Sequence, residues 1–185
     1  MPSLSESDRR AVLQLARKAI LEAVARAQIL GDIPTSGIFS ERRGVFVTLH
    51  CGGRLRGCIG VVEPSEPFGE SVVRCAAGAA LQDARFPAMR PEELGSLQVE
   101  ISILSAPLPI SPEGIEIGRH GLLIVSGAKR GLLLPQVAIE HHLSVEQFLE
   151  ETCRKAQLPP AAWREAGTHV SAFTCEVFSE ASPAD

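Results

Sequence analysis

The chain has 185 residues, a formal net charge of −4 at pH 7 and an isoelectric point near 5.8. A chain of this length can bury a substantial core, and its acidic balance argues against a general nucleic-acid or acidic-membrane surface. The N-terminal stretch lacks the apolar core of a signal peptide, and no apolar run approaches membrane-spanning length. Five cysteines without a Cys-x-x-Cys pair favour reduced thiols in a cytoplasmic protein.

The order of apolar patterns and turn residues predicts an α+β protein. In chain order the predicted elements are a helix at 5–30, strands at 45–49 and 54–60, a helix at 67–82, a short helix at 91–95, a strand at 97–103, strands at 121–125 and 131–134, a helix at 145–157 and a strand at 170–178. Ser5 or Ser7 can cap the first helix and Gly31 ends it, while Ser144 and Gln147 form a capping box. Because strands and helices do not alternate steadily, we expect mixed or antiparallel sheets with packed helices.

The stretch Arg54–Gly60 combines two arginines, a cysteine and two glycines more densely than any other segment. Side chains alternate faces along a strand, so Arg56 and Cys58 are expected to project the same way. A guanidinium beside a thiol favours the thiolate, the form that attacks electrophiles or binds a metal. Cys58 and Arg56 are therefore the candidate catalytic residues.

The register of the hairpin decides which residues accompany Cys58. A three-residue turn over 51–53 gives three cross-strand pairs, namely His50 with Arg54, Thr48 with Arg56 and Phe46 with Cys58. This register is preferred over a two-residue turn because it keeps Leu55 and the other apolar side chains of both strands on one face. It leaves His50 about 13 Å from Cys58 along the strand, too far for a direct Cys–His dyad.

Other polar residues are candidates for a ligand site near this hairpin. Arg56 either binds an anionic group or holds a carboxylate such as Glu100 or Asp83. The spacing does not favour a metal site, because no histidine or second cysteine lies at zinc-ligand distance in the sequence from Cys58. The candidate ligand-binding residues are Thr48, His50, Arg54, Asp83, Arg85, Glu100 and His120. The remaining cysteines Cys75, Cys153 and Cys175 fall on apolar faces and are expected in the core.

Several segments together resemble the AMMECR domain family, whose bacterial members are called protein A of the AmmeMemoRadiSam system. The most specific segment is Leu55-Arg56-Gly57-Cys58-Ile59-Gly60, and the others are residues 47–50, 83–87, 99–105, 118–122, 134–137 and 148–149. The resemblance covers residues 8–178 as a single domain, with termini at 1–7 and 179–185. It implies two unequal subdomains in close contact, with the motif strand near the cleft between them.

The resemblance also implies a shared pathway with a radical SAM enzyme and a Memo-like protein, but it supplies no reaction or cofactor. The chain departs from the family pattern at three places. Ala84 stands where the family usually has a proline, Gln157 stands where it usually has a glycine at a helix end, and the usual tryptophan near Leu143 is missing.

Three hypotheses about function follow from the sequence. The first is a cytoplasmic accessory protein that works with the two partners and binds a small anionic ligand or a peptide group in a cleft lined by Thr48, Arg56, Cys58 and Glu100. The second is an enzyme that uses Cys58 as a nucleophile or redox thiol. The third is a non-catalytic interaction module in which the motif is purely structural.

Overall fold

A computed structural model describes residues 4–181 of the chain and confirms the α+β class. The helices are α1 (Glu6–Arg26), α2 (Phe68–Leu81), α3 (Pro135–Glu140) and α4 (Val145–Lys155). The strands are β1 (Gly44–Cys51), β2 (Arg54–Val61), β3 (Leu97–Leu104), β4 (Leu108–Pro109), β5 (His120–Ser126), β6 (Lys129–Leu133) and β7 (Thr168–Ser179). Four short 3₁₀ helices cover Gly37–Ser40, Pro91–Ser96, Pro112–Gly114 and Pro160–Arg164. Over residues 4–181, no helix is long and apolar enough to cross a membrane.

The chain divides into two compact units. Unit 1 takes the first part of the chain as far as residue 104 and the end of the chain from residue 176, while unit 2 is the continuous stretch 105–175. Strand β7 therefore contributes its first residues to unit 2 and its last ones to unit 1. Each unit has its own cluster of buried apolar side chains.

Unit 1 places two helices against an antiparallel sheet in which β1 lies between β2 and β3. Alternation along β1 sends Val45, Val47 and Leu49 into the core, where each is fully buried. Helix α2 packs on β1 and β2, and α1 packs on α2 and β3. The small residues of α2, including Ala76 and Ala79, let these layers approach closely.

Packing requires both glycines of the motif, Gly57 and Gly60. A Cβ atom at Gly57 would lie 2.1 Å from the carbonyl oxygen of Ala79 on α2. A Cβ atom at Gly60 would lie 2.3 Å from the ring of Phe46 on the neighbouring strand. Glycine is the residue that lets a helix backbone and an aromatic ring approach a strand this closely.

The turn of the first hairpin differs from the predicted three-residue turn. Gly52 and Gly53 both adopt positive φ, 56° and 72°, which L-residues with a side chain rarely do. The two glycines form a two-residue turn that pairs Cys51 with Arg54. A two-residue loop with positive φ at both positions matches the natural twist of the flanking strands.

A register shift between Leu49 and His50 then changes the pairing along the rest of the hairpin. Strand β2 carries one extra residue at Arg56, so Thr48 lies opposite Cys58. The predicted pairs His50 with Arg54, Thr48 with Arg56 and Phe46 with Cys58 are therefore wrong. The extra residue returns Ile59 and Val61 to the apolar face opposite Val47 and Val45, but leaves Leu55 41% exposed.

Two helix ends also depart from the sequence prediction. Helix α1 ends at Arg26 and not near residue 30, because Ala27 turns into the left-handed region with φ 53°. Beyond α4, Gln157 has φ 58°, a conformation that suits the glycine expected at this position from the sequence resemblance. A non-glycine residue held in that region costs about 1 kcal/mol. Ser5 caps α1 as expected, because its side chain accepts a hydrogen bond from the backbone N–H of Asp8.

Unit 2 surrounds the strand β5, which pairs with β6 on one side and β7 on the other. Helix α4 packs on β5 and β6, and the short helix α3, which the sequence did not predict, packs on β5. The predicted capping box is confirmed: Gln147 N–H donates to Ser144 Oγ at 3.3 Å, and Ser144 N–H donates to Gln147 Oε1 at 2.9 Å. Phe148 and Cys153 of α4 are fully buried.

We expect Gly57→Ala to lower the free energy of unfolding by about 2 kcal/mol or more, because the added methyl group collides with the backbone of α2. Urea denaturation at pH 7 measures the change. Gly95→Ala is the matched control, since no atom lies within 4 Å of its Cβ position, and its effect should stay within about 0.5 kcal/mol. Equal losses in the two variants would contradict a packing role for Gly57.

Candidate functional site

A row of three polar side chains crosses the sheet of unit 1. Cys58 on β2 lies opposite Thr48 on β1, and Thr48 lies opposite Glu100 on β3. Residues that face each other across antiparallel strands have Cβ atoms about 4.5–5.5 Å apart on the same face of the sheet. We call Cys58, Thr48 and Glu100 the polar row. All three side chains are half-buried, so the thiol is neither sealed in the core nor fully exposed.

The polar row carries a direct contact between a hydroxyl and the thiol. Thr48 Oγ1 donates a hydrogen bond to Cys58 Sγ at 3.4 Å. In the part of the chain that the structure describes, the carboxylate of Glu100 takes part in no hydrogen bond or ion pair. The row therefore presents a thiol, a hydroxyl and an unpaired carboxylate side by side.

Asp83 holds the strand edge at Cys58. Its Oδ2 atom accepts a hydrogen bond of 2.8 Å from the backbone N–H of Cys58. Arg85 clamps the same carboxylate, with Nε at 3.0 Å from Oδ1 and Nη2 at 2.7 Å from Oδ2. The carboxylate of Asp83 is buried, whereas the side chain of Arg85 is 58% exposed.

Arg56 pairs with Glu93, a residue that the sequence reasoning did not identify. Its Nε lies 2.6 Å from Glu93 Oε1 and its Nη2 lies 3.1 Å from Oε2, a two-point contact with the 3₁₀ helix Pro91–Ser96. The expected partners of Arg56 were Glu100 and Asp83, and neither of them pairs with it. Within residues 4–181, Arg56 Nη1 is buried without a hydrogen-bond partner. No local signal could have revealed Glu93, since it lies 37 residues further along the chain.

The two ion pairs shift the pKa values of their members. The hydrogen bond from Arg85, helped by the backbone N–H groups of Cys58 and Arg85, holds the pKa of Asp83 well below its usual range. The hydrogen bond from Arg56, with a second one from the backbone N–H of Arg90, lowers the pKa of Glu93 to about 2. Both carboxylates are thus charged at neutral pH, and each neutralises its guanidinium.

The remaining candidates lie in other surroundings. His50 and Arg54 sit at the turn end of the hairpin, and neither side chain has a hydrogen-bond or ion-pair partner among residues 4–181. His120 belongs to unit 2, where its Nδ1 accepts a hydrogen bond of 3.0 Å from the backbone N–H of Glu116. The polar row is therefore defined without His120.

The other cysteines have different environments from Cys58. Cys75 and Cys153 are fully buried, as predicted, and burial raises the pKa of the Cys75 thiol to about 11. The same prediction was wrong for Cys175, which is only half-buried. Cys51 packs beside the core of unit 1. In the described stretch 4–181, no three His, Cys, Asp or Glu side chains come together as metal ligands would.

The ion pair between Arg56 and Glu93 should make stability depend on acid pH. The folded pKa of Glu93, about 2, is lower than the value of about 4.3 expected in the unfolded chain. Its stabilisation is therefore complete above about pH 5 and is lost as the pH falls towards 2. Between pH 6 and pH 3, we expect the unfolding free energy of the wild type to fall by about 1–2 kcal/mol more than that of Glu93→Gln.

Urea denaturation at the two pH values measures this difference. Glu92→Gln, which removes a neighbouring exposed carboxylate, should keep the wild-type dependence. A pH dependence that is the same in Glu93→Gln as in the wild type would contradict the assigned role of this ion pair.

Comparisons with known proteins agree with this architecture. A protein from Methanothermobacter thermautotrophicus is 42% identical over 187 residues, with 96% of each chain covered. One from Thermococcus gammatolerans is 43% identical over 93% of this chain and 90% of its own. The crystal structure of an uncharacterised protein from Pyrococcus horikoshii matches with a TM-score of 0.90 and 38% identity, covering 97% of this chain and 95% of that one. The AMMECR1 family model matches residues 13–178, and the chain belongs to the AMMECR1 family.

Proposed function

We propose that the protein is a cytoplasmic accessory protein that binds a peptide group of a partner at the polar row. The observation that carries the proposal is the free carboxylate of Glu100 beside the hydroxyl of Thr48 and the thiol of Cys58. The carboxylate can accept hydrogen bonds from the backbone N–H groups of a bound chain, and the hydroxyl can either accept from an N–H or donate to a C=O. Half-buried polar groups without full hydrogen bonding are a natural place for such a contact.

The charges around the polar row support a peptide group better than a small anionic ligand. Arg56, within the motif, and Arg85, beside Cys58, are already paired with Glu93 and Asp83. The unpaired charge within the row is the negative one of Glu100, which would repel an anion. An anionic ligand would have to rely on donors at the margins of the row, such as Arg54 at the turn end of the hairpin and Nη1 of Arg85.

The proposal places binding on the row and not on the whole motif. Gly57 and Gly60 are explained by packing, and Arg56 is explained by its ion pair with Glu93. The third hypothesis, a purely structural motif, accounts for these positions. It gives no reason for a free carboxylate on the same face as Cys58.

The proposed partners are a radical SAM enzyme and a Memo-like protein. Their support is the resemblance of the motif segments to the AMMECR domain family, whose bacterial members accompany these two proteins. The assignment of residues 8–178 to a single domain is also still a prediction.

We expect the double variant Thr48→Val, Glu100→Gln to bind these partners at least ten-fold more weakly than the wild type, because the row loses its donor and its charge. Biolayer interferometry with the purified radical SAM enzyme and the purified Memo-like protein of the same genome measures the change. Glu92→Gln, an exposed carboxylate outside the row, is the matched control, and melting curves establish that the variants fold. Unchanged binding by a folded double variant would contradict the proposal.

A second candidate function is an enzyme that uses Cys58 as a nucleophile. The observation in its favour is that the thiol of Cys58 is only half-buried and accepts a hydrogen bond of 3.4 Å from Thr48 Oγ1. Arg85 also lies close enough to Cys58 for the two groups to interact electrostatically.

If Cys58 is a nucleophile, iodoacetamide should alkylate it at least five-fold faster than Cys51, the other half-buried thiol of the hairpin. Mass spectrometry of peptides from timed reactions measures both rates in one sample, and the buried Cys75 marks the unreactive limit. Thr48→Val should bring the rate of Cys58 towards that of Cys51. Equal rates for the two thiols in the wild type would exclude this function.

A further inference from the structure

Strand β2 forms an edge of the sheet in unit 1. Within residues 4–181 its pairing partner is β1, and no strand pairs with its other side. An unpaired edge presents a row of backbone N–H and C=O groups that another extended chain can bind. Proteins usually block such edges with charges, bulges or covering loops.

The hydrogen bond to Asp83 fixes which groups of β2 point outward. Because Cys58 N–H donates to Asp83 and not to β1, the N–H and C=O of Cys58 face away from the sheet. Outward-facing residues alternate along an antiparallel strand, so Gly60 also directs its N–H and C=O outward. The close approach of the Phe46 ring to Gly60 fits this phase, since side chains lie closer in the non-hydrogen-bonded pairs.

Part of this edge is blocked and part of it is open. The bulge at Arg56 interrupts one end, and the Asp83 carboxylate occupies the place of a neighbouring strand's carbonyl at Cys58. By the same alternation, the C=O of Cys58 and both backbone groups of Gly60 point away from β1, on the side where no strand pairs with β2 among residues 4–181. Both residues are only half-buried, so a bound chain can reach them.

The guanidinium of Arg85 lies next to Cys58, where the open part of the edge begins. Arg85 Nη2 and Cys58 N–H bind the same oxygen of Asp83, at 2.7 Å and 2.8 Å. Arg85 uses Nε and Nη2 on Asp83, and its Nη1 makes no hydrogen bond within the described chain. With 58% of the side chain exposed, Nη1 is available to a carboxylate that arrives along the edge.

We infer that a short extended peptide adds to β2 as a further strand at Cys58–Gly60, with a carboxylate of the peptide on Arg85. The inference rests on the proposed function and specifies how the bound peptide would lie against the sheet. Residues facing each other on adjacent strands share one face of a sheet, so the peptide residue opposite Gly60 would lie on the face of the polar row. The N–H of Cys58 keeps its bond to Asp83, while the C=O of Cys58 and the backbone groups of Gly60 supply affinity.

The test uses a library of acetylated, cysteine-free random hexapeptides with a free C-terminal carboxylate. The full chain is immobilised, bound peptides are identified by mass spectrometry, and a selected peptide is labelled for fluorescence anisotropy. Two N-methylated forms of that peptide carry methyl groups on alternate residues, in opposite phases. If the peptide pairs as a strand, one form places its methyl groups on the N–H groups that face β2 and should bind at least thirty-fold more weakly than the unmethylated peptide. The other form places them on the N–H groups that face solvent and should lose less than three-fold.

The carboxylate is tested separately with the C-terminal amide of the selected peptide. We expect the amide to bind about ten-fold more weakly to the wild type, and Arg85→Gln to reduce this preference to two-fold or less. Arg85→Lys, which keeps the charge and supports folding if the glutamine variant is unstable, should keep part of the preference. Arg42→Gln, which removes an exposed arginine outside the site, should keep all of it.

The outcomes separate the edge inference from the proposed function. Equal binding of the two N-methylated phases, with weaker binding by Thr48→Val, Glu100→Gln, would overturn the edge inference and leave the row as the binding site. Recovery of no hexapeptide would overturn both. A dimer in sedimentation that the selected peptide does not dissociate would mean that a second copy occupies the edge, which also overturns the inference.

Discussion

The close approach of α2 to β2 at Gly57 is the constraint on which the site depends. The helix can lie against the strand because nothing larger than a hydrogen atom stands between Gly57 and the carbonyl of Ala79. Since α2 ends at Leu81, this contact also fixes where the following residues emerge. Asp83 then reaches the strand edge beside Cys58 and binds its N–H. A single missing side chain thus sets the position of a carboxylate that directs the hydrogen bonding of the motif strand.

Some positions of the motif have a packing role, and others carry groups that could bind a ligand or react. Arg56 anchors the 3₁₀ helix Pro91–Ser96 through Glu93, and the two glycines admit a helix and an aromatic ring. These roles explain a dense sequence signature without any ligand. Cys58 is different, because its backbone N–H binds Asp83 at the edge of the sheet while its side chain contacts Thr48. The chemistry of the site therefore depends on neighbours outside the signature more than on the signature itself.

The fold was largely predictable because alternation and capping are local signals. The elements of unit 1 follow the predicted order, and the capping box at Ser144 forms as expected. The register could not be predicted, since a two-residue turn followed by a bulge restores the same apolar face as a three-residue turn without one. Helix α3 was missed because six residues that begin with a proline carry little periodic signal.

Long-range contacts set the other limit on prediction. Asp83, a predicted ligand-binding residue, makes its contact with a backbone N–H, which no side-chain pattern encodes. Glu93 was missed because an arginine can pair with any carboxylate that the fold brings near. The assignments of Thr48, Cys58 and Glu100 to a binding site stay predictions until a ligand is found.

The return of the chain to unit 1 has a consequence for how the protein is made. Glu176 binds Arg9, and Glu180 binds Arg17, so helix α1 finds its ion-pair partners more than 160 residues later. Contacts between such distant residues close long loops and form slowly. Unit 1 therefore cannot make these contacts until residues 176–180, which follow the whole of unit 2 in the chain, have been synthesised. Unit 2 is one continuous stretch and has no such requirement.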